Sequence, residues 1–329
     1  MTSAHPQARA GRGAVGLLAR VRAMLASRAF QVGFFAAAAL LGVGLLWHAL
    51  SRYSLEEIVA AVSAVTGLRL ATAAGFATAS YVCLTFFDYL ALRWIERPLP
   101  YRQAALASFA SLSLGHSIGF AGLSSGAIRY RFYSRWGLSA GDVAQLVLFC
   151  GVTVGLGLSM LAGIALMVDP GTAESLLRLP QASIRVVGGV GVALPLAYLA
   201  WAMLPERHAR RTFWRLRRPT AGLALAQIGV GTLNFALVAA CLHQVLAHVA
   251  EVSYPAVASA YVAANTATLI THVPGGLGVV ETVVQHVLPG EDLIGPLLVY
   301  RFVYFLVPLA LGLVLLAITE LAARRCKIA

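Results

Sequence analysis

From Pro255 to Gly290 the chain carries a single charge, Glu281, and this apolar run is interrupted in its middle by Thr271-His-Val-Pro-Gly-Gly-Leu-Gly-Val-Val-Glu281. A proline followed by three glycines within five positions cannot continue a helix, because the ring removes a donor and clashes with the preceding turn. The backbone therefore breaks inside a segment otherwise suited to lipid. At membrane depth such a break is tolerated only where protein or a water-filled cavity satisfies the freed backbone groups. An acid beside it is a functional-site candidate by default.

The lipid reading rests on composition. The 329 residues are 59% hydrophobic and 12% charged, with a mean hydropathy of +0.79, well outside the range of soluble domains. The net charge of +12 does not indicate nucleic acid, because the basic residues cluster between apolar runs instead of forming a face. Cys83, Cys150 and Cys241 lie in apolar runs and Cys326 in the basic tail, a spacing that implies neither a disulfide framework nor a metal site. No cofactor is expected. There is no Gly-x-Ser-x-Gly, phosphate-loop or His-Glu-x-x-His motif and no aqueous segment long enough to fold alone, so any enzyme reading must be intramembrane.

Apolar spans run from Phe30 to Leu50, Leu70 to Leu92, Val143 to Val168, Val186 to Leu204, Ala221 to Ala247 and Leu293 to Thr319, each near the ~20 residues that a bilayer core requires. The run from Phe30 is too long for the core of a cleaved signal. Two further segments are ambiguous: the Ser/Gly-rich Gln103 to Ile128, and 255 to 288 around the break. Arginine placement resolves them. The N-terminal 29 residues, the loops holding Arg93, Arg97 and Arg102 and then Arg129, Arg131 and Arg135, the loop 205–218 and the tail from Arg324 are basic and belong inside. Connections holding Glu56 and Glu57, Asp169 and Glu174, Glu251, and Glu291 with Asp292 belong outside. Both ambiguous segments then start and end on one side, so each dips in and returns, from opposite faces.

The spacing predicts a duplication. Adding 152 to the bounds 30–50, 70–92 and 143–168 gives 182–202, 222–244 and 295–320, each close to a later span. The broken segments superpose too, with Phe109 on Tyr261, Ser113 on Asn265 and Gly126-Ala-Ile-Arg129 on Gly278-Val-Val-Glu281. Three crossings per unit is odd, so the second unit is inverted, an arrangement that in transporters puts the site at the repeat interface. The expected fold is thus an all-α polytopic membrane protein of two inverted repeats, with six full spans plus two re-entrant broken helices. Residues 1–29 form a basic cytoplasmic segment, 30–181 and 182–323 the repeats, and 324–329 a basic cytoplasmic tail of a bacterial inner-membrane protein.

The backbone break is assigned to Pro274, Gly275, Gly276 and Gly278, and in the first unit to Gly126. Glu281, three residues past Gly278, falls in the first turn of a new helix, where dipole and free donors favour its charge; the plainer reading is a cap near the outer interface. Arg129 either pairs with Glu281, holds a lipid phosphate or snorkels to the headgroups. Arg301, with Tyr304 beside it, lies deep in the last span and needs a partner or a wet cavity; Glu281 is the obvious partner. Arg131 joins the expected path. Asp88 is either a second intramembrane acid or a residue near the inner interface with Arg93. His116 and His272 are a proton relay or simply bonded to backbone, and Asn234 and Asn265 are expected to bond between helices.

Leu123-Ser-Ser-Gly-Ala-Ile-Arg-Tyr-Arg-Phe-Tyr133, with Trp136-Gly137-Leu138-Ser139 after it, resembles the first signature of the lysylphosphatidylglycerol synthase transmembrane family, the flippase domain of the multiple peptide resistance factor proteins. Pro274 to Glu281 is similar to its second signature, and Tyr300-Arg301 with Tyr304 and Pro308 to its third. The resemblance implies movement of aminoacylated or other anionic phospholipids between leaflets, with Arg129, Glu281 and Arg301 as conduit residues. The chain ends about ten residues after its last expected span, so the soluble aminoacyl-transfer domain of full-length members is expected to be absent. Membrane phospholipids are the expected partners, with a second copy or a lipid synthase as protein partner. Two other functions compete: an intramembrane lipid-modifying transferase using Glu281 or His272 as base, and a non-transporting accessory subunit of a synthase.

Overall fold

The computed structural model describes residues 55–325 except 119–120, 178, 205–217, 248 and 289–292. The expected first span, Phe30 to Leu50, the segment 1–29, most of the arginine-rich 205–218 loop and the last four residues of the tail lie outside the described residues. Among the described residues all regular structure is helical: α1 (Leu55–Ala64), α2 (Gly67–Trp94), α3 (Tyr101–Ile118), α4 (Ala121–Arg135), α5 (Ala140–Val168), α6 (Pro170–Leu177), α7 (Gln181–Met203), α8 (Ala221–Leu246), α9 (Tyr254–Thr271), α10 (Val279–Val287), α11 (Ile294–Arg301) and α12 (Val307–Arg325). A π-helical turn, Phe302–Leu306, joins α11 to α12.

Helices α2, α5, α7, α8 and the α11–α12 pair are long and apolar enough to cross a membrane, and they coincide with five of the six expected spans. Their outer faces carry exposed apolar ridges, such as Val186, Val190 and Leu194 on α7 and Leu311, Val314 and Ile318 on α12. Ridges of this size are unusual in water; acyl chains cover them at no cost. Local chemistry sets the ends. Helix α2 stops at a left-handed Glu96 (φ 56°) with the Arg97 N–H turned back to the Leu92 carbonyl, ahead of Pro98 and Pro100. Ser139 and Asp142 form a reciprocal capping box at the start of α5. Thr220 and Ser253 cap α8 and α9.

Helices α2 and α8 pack along one another at the centre, α5 lies against α8, and α7 lies outside α5. Between α5 and α8 the approach is set by Gly157 and Gly231: a Cβ on Gly231 would stand 2.6 Å from the Thr153 carbonyl oxygen and 3.1 Å from the Gly157 Cα. Small residues that let backbones touch are how apolar helices associate when lipid is as apolar as they are. Polar side chains add directional contacts. Tyr198 donates to Gln227 (2.6 Å) and Gln227 to Thr153 (3.0 Å), tying α7, α8 and α5 together.

Both interrupted segments double back on themselves. Helices α3 and α4 pack side by side, with a Cβ on Gly115 falling 2.8 Å from that of Ser125; α9 and α10 do the same around Pro274–Gly276. The α3–α4 hairpin lies against α12, the α9–α10 hairpin against α5, and the Pro274–Gly276 tip against α3. Two expectations are corrected. Gly126 is no break, because it lies inside α4 and the interruption falls earlier, between α3 and α4. A lone glycine without a proline costs a helix only about 1 kcal/mol, and here even an added Cβ would meet the Val147 side chain only at 3.4 Å. Arg129 to Arg135 is likewise no loop but the second half of α4, which runs until Gly137 takes φ +86°.

Candidate functional site

At the second break the chain leaves α9 through a left-handed His272 (φ 55°), and Gly275, Gly276 and Gly278 take φ of 58°, 61° and 81°. Left-handed backbone suits glycine, which lacks the Cβ that makes it costly. It also turns carbonyls away from any helical partner. Arg301 of α11 collects them: Nη1 donates to Gly275 O and Nη2 to Gly276 O, both at 2.9 Å. The same guanidinium holds Glu281 through Nε and, at 2.7 Å, through Nη2. Glu281, in the first turn of α10, accepts the Gly278 N–H at 2.9 Å. One ion pair thus closes the backbone of the break and clamps it to α11. It is not sealed, since 9% of the Arg301 side chain and 15% of that of Glu281 remain exposed.

Arg129 is placed differently from the expectation that joined it to Glu281, a lipid phosphate or the headgroup layer. Its Nε and Nη2 hold Asp88 of α2 (Nη2 to Oδ1 2.7 Å), and its Nη1 donates to Ser125 at 2.9 Å. Tyr133 donates to the second Asp88 oxygen at 2.7 Å, and the Cys150 thiol approaches the first at 3.7 Å. Asp88 is fully buried and Arg129 nearly so. The physical reason is local: α4 returns beside α3 and α5, from where Arg129 and Tyr133 reach Asp88 of α2 and not an acid on the other hairpin. Asp88 is correspondingly not at the interface with Arg93, which lies over the Tyr89 ring and donates to its hydroxyl.

Tyr304, in the π-helical turn, shares a hydrogen bond with Ser80 (3.0 Å), and Ser80 donates to Asn234 (2.8 Å). This small polar lock sits where α2, α8 and the α11–α12 junction meet. His116 lies in the last turn of α3, and His272 caps α9 with Nδ1 2.9 Å from the Ile270 carbonyl. Arg131 and Arg135 both reach Glu320 of α12. Sequence reasoning missed Glu320, Tyr133, Ser125 and Ser80. Glu320 had a signal, being the one acid between Leu293 and Ala329; the hydroxyl groups had none. Among the described residues no group of three His, Cys, Asp or Glu is disposed to hold a metal ion.

No family model matches the chain. It is 32% identical over 289 residues to the uncharacterized protein slr0712 of Synechocystis sp., covering 87% of this chain and 90% of that protein. It is 28% identical to the inner membrane protein YbhN of Escherichia coli over 83% of this chain and 86% of YbhN. A more distant match, 21% identical, is to a phosphatidylglycerol lysyltransferase of Staphylococcus haemolyticus, covering 83% of this chain and 32% of that protein. With five apolar membrane-length helices and a likeness to slr0712 along nearly the whole of both proteins, the chain belongs to the same family of multi-pass membrane proteins as slr0712.

Proposed function

We propose that this protein is an inner-membrane translocase for anionic or aminoacylated phospholipids, built from two inverted repeats. The single observation that carries the reading is the Arg301–Glu281 clamp: an incompletely sealed guanidinium–carboxylate pair at the broken tip of a hairpin. A guanidinium that can exchange a carboxylate for a phosphodiester offers the same forked donors to both, and the carboxylate then expels the headgroup by reclosing. Arg301, Glu281 and Tyr304 make up the headgroup path, with Arg131 at its inner end. Arg129 and Asp88 serve it as a buried anchor for the first hairpin. The inverted-repeat architecture is supported by element positions: shifted by 152, Gly67–Trp94, Tyr101–Ile118 and Ala140–Val168 fall close to Ala221–Leu246, Tyr254–Thr271 and the α11–α12 pair. The names of YbhN and of the lysyltransferase, an inner membrane protein and a lipid-modifying enzyme, fit a lipid-handling role.

The test is dithionite quenching of a fluorescent phosphatidylglycerol in phosphatidylglycerol/phosphatidylcholine vesicles containing the full chain. Scrambling above protein-free vesicles is expected. Glu281→Gln, which keeps an amide oxygen for the Gly278 N–H, should slow it about tenfold, since a hydrogen bond to a charged group contributes about 1.5–3 kcal/mol. Wild-type scrambling no faster than empty vesicles would end the proposal. Covalently altered lipid would point instead to a transferase.

The topology carries its own prediction. With both termini cytoplasmic and both hairpins re-entrant, a cysteine at position 137 labels only from the cytoplasm and one at 290 only from outside. Outside labelling of 137 would make the first hairpin a full crossing and remove the inversion.

A further inference from the structure

Helix α4 carries three arginines with two destinations. A step of two residues turns about 200° around a helix, so Arg129 faces Asp88 while Arg131 and Arg135, four apart, share the opposite side. Both converge on Glu320 near the end of α12: Arg131 through Nε to Oε1 (3.0 Å) and Nη2 to Oε2 (2.6 Å), and Arg135 through Nη2 to Oε1. Among the described residues the cluster therefore joins two cations to one anion. The Asp88–Arg129 pair is self-neutralising, and no other acid follows Leu293, whereas Arg324 and Arg325 come just after Glu320. The cluster is also open, with side-chain exposures of 15% for Arg131, 30% for Arg135 and 22% for Glu320. One guanidinium side-on and a second end-on to the same pair of oxygens is the way two arginines grip a phosphate. Basic clusters of this kind at the cytoplasmic ends of membrane helices bind acidic headgroups.

We infer that Arg131 and Arg135 form a binding site for the phosphodiester of an anionic phospholipid at the cytoplasmic end of the first hairpin, with Glu320 as the built-in anion that the headgroup displaces. Its place on the cytoplasmic side, as the inner end of the path, rests on the translocase reading; the binding does not require transport. Loading the site releases α12 from α4, because Glu320 is the ion-pair link between them among the described residues.

The test is native mass spectrometry of the detergent-solubilised full chain titrated with phosphatidylglycerol, with phosphatidylcholine and inorganic phosphate as comparison probes. Phosphatidylglycerol should bind and phosphatidylcholine should not. Glu320→Gln, which removes the competing charge, should tighten phosphatidylglycerol binding about tenfold, as expected for a difference of about 1.4 kcal/mol. Arg131→Gln/Arg135→Gln/Glu320→Gln, which leaves no unpaired charge behind, should weaken it at least as much. Equal binding of the neutral lipid, or no tightening by Glu320→Gln, overturns the site. Displacement of the lipid by inorganic phosphate at equal concentration assigns the site to a free anion and overturns the lipid. Failed scrambling with these shifts intact removes only the translocase reading; active scrambling without them removes only this site.

Discussion

Asp88→Ala, in α2, is expected to lower the thermal unfolding midpoint of the detergent-solubilised protein more than any single change within the first hairpin that it anchors, at a cost of about 3–5 kcal/mol, the range for removing one partner of a buried ion pair. The size follows from what is left behind. Arg129, 2% exposed, would keep only its bond to Ser125, and the Tyr133 hydroxyl would lose its acceptor. Arginine cannot escape by losing its proton, so the charge remains with no counter-ion inside an apolar helix packing. Asp88→Ala/Arg129→Met should recover most of the loss, since an apolar pair of similar volume is often as stable as the ion pair it replaces. A single variant that melts with wild type, or a double variant no better than the single, would show that the pair does not anchor α4.

Arg301→Lys should be nearly as damaging to the second hairpin, despite keeping the charge. The guanidinium there contacts two oxygens of Glu281 and the carbonyls of Gly275 and Gly276 at once. An ammonium is a point donor on a flexible stem and cannot span that planar set. Carbonyls left unpaired in a low-dielectric setting cost about 1–3 kcal/mol each, so a total loss of about 3 kcal/mol is expected, with faster proteolysis at the Pro274–Gly278 tip. Glu281→Gln should melt much closer to wild type, because its amide oxygen still accepts from Arg301 and from the Gly278 N–H. If lysine at 301 preserves the wild-type midpoint, the clamp is a simple charge contact and not the closure of the broken backbone.

The two hairpins were legible to different degrees. The second was readable because Pro274 and three glycines leave a helix no alternative, and Glu281 stands alone in an apolar run. The first was readable as an interrupted segment, but its break could not be located: Ser and Gly scattered over 103–128 mark polarity without forcing a particular bond out of the helix. That is why Gly126 and the Arg129 to Arg135 stretch were misplaced. The pairing of Arg301 with Glu281 was available as the nearest charge on an adjacent segment. The pairing of Arg129 with Asp88, 41 residues away, was not, because it depends on how α4 turns back against α3 and α5.

Hydropathy and the proline–glycine chemistry of Thr271 to Glu281 were enough to determine a polytopic helical membrane chain, the positions of the five membrane-length helices among the described residues and one obligatory break, since lipid leaves the backbone no other means of satisfying its hydrogen bonds. Which charges neutralise which was decided only by the tertiary structure. A two-residue step along α4 sends Arg129 into the core and Arg131 outward to Glu320, and the acid each one meets is set by the helix that happens to pack there. Ion pairing in an apolar interior is governed by distance across packed helices, a quantity that no spacing along the chain encodes.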